Sequence, residues 1–192
     1  MDFQHVNVKF LVRGPEAVDL EPLIPVFHRW IQGQVCEELL LDIADYRHVP
    51  EGPGIVLIGH QADYSVDNAN GRLGVRYNRK APFDGSNQDR LKQAACSALK
   101  ACQRLEGETA LENQIRFNGH DVELFINDRL FAPNREEVRQ TFQPDFKALF
   151  DKLFRGSDYA MTWDKDPRRL LGLSVKSSRP FSIAELINNL AS

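Results

Sequence analysis

Short alternating apolar stretches, cut off by Gly, Pro and Asn-Gly turns and interleaved with helical periods, restrict this chain to a sheet built from hairpins. Val6 to Val12 puts Val6, Val8, Phe10 and Val12 on one side of an extended segment, and Arg13-Gly14-Pro15 ends it. Glu38 to Tyr46 is strand-like. Ile55 to about Val66 reads as one long strand, and Asp67-Asn68-Ala69-Asn70-Gly71 turns it into a partner from Arg72 to Asn78. Asn-Gly between two alternating runs is a strong short-range hairpin signal. A second Asn-Gly, at Asn118-Gly119, predicts a hairpin of Ile115 to Phe117 with His120 to Ile126, and a last pair joins Asp158 to Trp163 with Leu170 to Lys176.

Four helical periods lie between these strands. The first carries Leu20, Leu23, Ile24, Phe27 and Ile31 behind Asp19, with Pro25 pointing to a kink or a later start. Ser86 with Asp89 opens a helix to about Leu105. Asn134 with Glu137 opens another, interrupted at Pro144, and Ser182 with Glu185 opens a short terminal one. The expected architecture is a single α+β domain over residues 1–192, with a mainly antiparallel sheet and helices packed on one face. Val8 to Val12 and Val122 to Ile126 resemble each other, as do the segments that follow. Two pseudo-repeated β-α-β-β units at 5–80 and 112–178, joined by helix 86–105, are therefore weighed against chance similarity.

Bulk composition narrows the function classes. The 192 residues include twelve Phe and two Trp, ample core material for an ordered chain. The formal charge is −3, and Lys and Arg are dispersed among acids, which argues against nucleic acid as a partner. No apolar stretch approaches the length of a membrane span, and no signal-peptide pattern opens the chain. The expected location is cytoplasmic, with no membrane partner. Cys36, Cys96 and Cys102 have neither framework nor Cys-x-x-Cys spacing and read as small buried apolar groups. The histidines lack metal-ligand spacing, the 67–78 segment fails the calcium-loop pattern, and no phosphate loop or nucleophile elbow is present. No metal and no cofactor is expected.

Polar side chains concentrate in the central hairpin. Taken as one strand, it puts Val56, Ile58, His60, Ala62, Tyr64 and Val66 on one face and Gln61, Asp63, Ser65 and Asp67 on the other. His60 beside Tyr64 among apolar neighbours would suit a general acid/base pair, with Asp63 and Arg76 nearby. The plainer alternative is a core histidine satisfied by one hydrogen bond. Arg72, Arg76, Asn78 and Lys80, with Arg79, form a basic and amide cluster suited to an anionic small molecule or an acidic protein partner, or else a solvated strand edge. The leading expectation is a non-enzymatic domain binding a partner or a small ligand, and a homo-oligomer through free strand edges. The alternative is a small metal-independent enzyme with His60 as acid/base, Tyr64 orienting it and Arg76 as anion anchor.

Overall fold

The computed structural model describes residues 2–14, 18–111 and 114–191. Its elements run β1 (Val6–Val12), α1 (Leu23–Gly33), β2 (Leu40–Tyr46), β3 (Gly54–Gly59), β4 (Ala62–Asp67), β5 (Gly74–Arg79), α2 (Asn87–Gly107), β6 (Phe117–Ile126), α3 (Glu136–Leu153), β7 (Tyr159–Trp163), β8 (Leu171–Ser177) and α4 (Ile183–Ala191). The strands form one sheet in the order β2-β3-β4-β5-β1-β6-β8-β7. Every neighbouring pair is antiparallel. The chain is thus an α+β fold with a fully antiparallel sheet.

Register separates the two faces. Val8 lies opposite Tyr77 and Leu124, while Lys9 lies opposite Arg76 and Glu123. Side chains alternate along a strand, so Val6, Val8, Phe10, Val75, Leu124 and Leu173 share the apolar face, and Asn7, Lys9, Arg76, Glu123 and Phe125 share the other. Helices cover the apolar face: α1 packs on β2 and β3, α2 on β1 and β5, and α4 on β6. The third helix, α3, lies on α2 and α4 and reaches the β7 end through Phe146, whose ring sits 5.4 Å from that of Trp163. The caps follow the sequence signals. Ser86 accepts from the Asp89 backbone N–H while the Asp89 carboxylate accepts from the Ser86 backbone, and Ser182 and Glu185 repeat the arrangement.

Several local expectations are overturned. The stretch from Ile55 to Val66 is two strands, β3 and β4, joined by a tight turn at His60 and Gln61. Asn118-Gly119 makes no hairpin. It lies inside β6, where the register shifts between Phe10 and Val12, so the extra residues bulge out instead of reversing the chain. Pro144 does not break α3. It is exposed, so the carbonyl it leaves without an N–H partner meets water, while Phe142, Phe146 and Phe150 stay buried on one side. The helix starts after Arg135, not Asn134, and α1 starts after Pro22, with Pro25 in its first turn, where a missing N–H costs nothing. Asp19 caps only the turn before α1, accepting from the Glu21 N–H at 2.9 Å. The two β-α-β-β units are unequal, with four strands after α1 and two after α3. The expected start of the second unit, residue 112, and Pro15 both lie outside the described residues. No helix among the described residues is long and apolar enough to cross a membrane.

Candidate functional site

The turn between β3 and β4 inverts the alternation assumed for a single strand, and it disperses the expected acid/base group. His60 is exposed at the turn, held through its backbone N–H to the Leu39 carbonyl at 2.8 Å. Asp63 lies on the open face of the sheet and pairs with Lys80 at 2.7 Å, and the same ammonium donates to the Gly59 carbonyl. This lock steadies the turn. Tyr64 lies on the helix-covered face, 3% exposed, and donates to Glu38 at 2.6 Å. His60 and Tyr64 therefore do not meet.

Glu38 organises a buried polar network that sequence reading missed. It accepts from the Tyr64 and Tyr77 hydroxyls at 2.6 and 2.7 Å, and Gln93 donates to the Tyr77 oxygen and to Ser97. Burial pushes both tyrosine hydroxyls well above their ordinary value and Cys36 up to about 11. A small cavity of about 250 Å3 opens beside Cys36, Tyr64 and Ser97. Its thiol and hydroxyls stay protonated near neutrality, so they offer hydrogen bonds and no nucleophile.

The basic cluster also divides along β5. Arg72 pairs with Glu123 at 2.9 Å, with Asp121 further off at 3.8 Å. Asn78 keeps a buried side-chain oxygen that has no hydrogen-bond partner among the described residues. Lys80 belongs to the turn lock. Arg72 lines one cavity, of about 500 Å3, with Leu11 and Asp121, and Arg76 enters another on the open face, about 290 Å3 in volume, where it meets Asn7, Asn70, Phe125, Arg129, Asp164, Arg168, Arg169 and Leu170. Residues from β1, β5, β6 and three loops converge there.

Arg76 is fixed from behind. Asp67 and Lys9 are each 0% exposed and 2.5 Å apart, the contact of an ammonium with a carboxylate. Burial lowers the Lys9 ammonium from its ordinary value, against the pull of Asp67. The same Asp67 lies 2.9 Å from Arg76 Nε, close enough for ionic attraction but not aligned as a hydrogen bond. The Phe125 ring lies 5.3 Å from the guanidinium carbon, a cation–π contact. Gly172 makes room for that ring: a Cβ there would fall 2.6 Å from Phe125 Cδ1. So held, Arg76 is 27% exposed, and its terminal nitrogens have no hydrogen-bond partner among the described residues.

The rim is built by the loop between β7 and β8. Asn134, 4% exposed, donates to the carbonyls of Asp164 and Asp166 at 3.0 and 2.9 Å and staples this loop to the one preceding α3. Arg168 pairs with Asp166, whose carboxyl is held down to about 2, and Arg169 reaches Asp164 at 3.4 Å. Arg129 is exposed and has no ion-pair partner among the described residues. Lys9, Asp67, Phe125, Arg129, Arg168 and Arg169 escaped assignment as site residues from sequence. Lys9 carried the one usable signal, a charge on the polar phase of an otherwise apolar strand. Among the described residues no group of three His, Cys, Asp or Glu side chains is placed to hold a metal. Compared with protein-family models, curated proteins and solved structures, the chain matches none.

Proposed function

We propose that this protein is a non-enzymatic binder of a small organic anion, taken up in the arginine cavity on the open face of the sheet. The carrying observation is Arg76. Its guanidinium is held by Asp67 and Phe125, and its terminal nitrogens have no acceptor among the described residues. A fork ordered before binding loses little entropy when it closes on a carboxylate or phosphate. Arg129 adds a cation at the rim that has no ion-pair partner among the described residues. Binding without catalysis fits the dispersal of His60, Asp63 and Tyr64 to three separate places and the protonated state of Cys36.

Thermal unfolding at fixed ionic strength tests this reading, with benzoate, citrate and inorganic phosphate as probes. A ligand at about one hundred times its Kd stabilises the folded state by about 2.7 kcal/mol. At least one probe is expected to raise Tm beyond sodium chloride, and Arg129→Ala is expected to remove the shift. No shift with any probe, or a full shift in Arg129→Ala, would contradict the reading.

A further inference from the structure

Resting on the reading of this cavity as an anion site, we infer that its ligand is a phosphate monoester bound as the dianion. Charge comes first. Four arginines and one carboxylate line the cavity. Behind them, Asp67 is shared by Arg76 and Lys9, Glu123 lies between Lys9 and Arg72, Asp166 takes Arg168 and Asp164 takes Arg169, so the two guanidinium groups with donors left for a ligand among the described residues are Arg76 and Arg129. A dianion brings one charge to each of these guanidinium groups, whereas a carboxylate or a phosphodiester brings a single charge to share between them.

Direction comes second. Arg76 rises from β5, Arg129 follows β6, and Arg169 comes from the loop between β7 and β8. Donors on three separate elements match acceptor oxygens pointing several ways, as on a tetrahedral phosphoryl group. The two oxygens of a carboxylate lie in one plane and suit a single fork.

Size comes third. The cavity of about 290 Å3 holds about ten waters at liquid density, more than a bare phosphate fills. Phe125 and Leu170 supply apolar surface for the rest of the ligand. Inorganic phosphate is thus a fragment of the fitting ligand, and an ester with a compact apolar or aromatic body is the whole.

Calorimetric titration of the full chain with phenyl phosphate, its methyl diester and benzoate tests the inference. Phenyl phosphate is expected to bind at least about tenfold more tightly than either monoanion at about pH 8, one charge-assisted contact's worth. Its affinity is expected to fall about tenfold by about pH 5, below the second phosphate pKa of about 6, while the diester stays level. Arg129→Ala, a rim change that leaves the buried pair intact, is expected to erase the preference for the ester. Equal affinity for ester and diester, with both lost in Arg129→Ala, would overturn the dianion and leave the anion site standing. Binding of none of the three would overturn the site as well. Competition by phosphatidylcholine vesicles carrying phosphatidic acid would place the phosphate on a lipid and overturn a soluble ester.

Discussion

Asp67 is the side chain on which the candidate site depends. It is fully buried and accepts from Lys9 and from the Ala69 N–H while it faces Arg76. Removing it leaves the buried Lys9 ammonium and the partly exposed Arg76 guanidinium without their shared carboxylate. Breaking a buried pair by deleting one partner costs about 3–5 kcal/mol. Urea unfolding of Asp67→Ala is expected to show a loss of that size. Lys9→Met is expected to lose much less, because Asp67 keeps Arg76 and a backbone donor. The sign with pH follows from Lys9. Its folded-state ammonium is depressed below the ordinary 10.5, so between the two values the unfolded chain holds more protons and stability rises with pH. Wild type should therefore gain on Lys9→Met as pH approaches 10.5. Equal losses in the two variants would mean that Asp67 does not bridge the cations.

Secondary-structure elements decide what surrounds that side chain, and here sequence reading succeeded unevenly. Strand β1, the capped helices α2 and α4 and the β7–β8 hairpin were legible because period and cap agreed. The β3–β4 turn was not. Apolar alternation continues through His60, and no Asn-Gly or Pro marks the reversal. That one missed turn placed His60 and Tyr64 together and turned Val56 and Ile58 to the wrong face. At β6 the error ran the other way. Asn118-Gly119 carried a hairpin signal, but Gly119 at φ +65 serves a bulge, and a Cβ there would fall 1.7 Å from the Phe181 carbonyl oxygen. Sequence singled out Arg76 as a candidate anion anchor, the role proposed for it above. Its companions Arg129, Arg168 and Arg169 were not, because the loops that bring them in are joined by Asn134, read as a helix cap. Gly172 tests the floor these elements make. Gly172→Ala must push Phe125 from its contact with Arg76. It is expected to weaken phenyl phosphate binding about tenfold, while crowding costs about 1–3 kcal/mol of stability. Unchanged affinity would remove Phe125 from the site.

The molecule as a whole is acidic, with formal charge −3, yet it gathers arginines at one place on its open face. Overall charge therefore concealed a local cationic site, since charge in sequence carries no information on which loops meet. The sheet supplies the contrast. Its apolar face is sealed by helices, and its other face carries a buried ionic layer that ends at the arginine cavity. The second cavity, beside Cys36, provides an internal control, because it lies on the helix-covered side. Backbone amide shift mapping during titration with phenyl phosphate separates the two places directly. The expected result is a single saturating set of shifts at Asn7, Asn70, Arg76, Phe125 and Arg169, absent in Arg129→Ala. Shifts centred on Cys36, Tyr64 and Ser97, or no saturable shifts at all, would contradict an anion site on the open face.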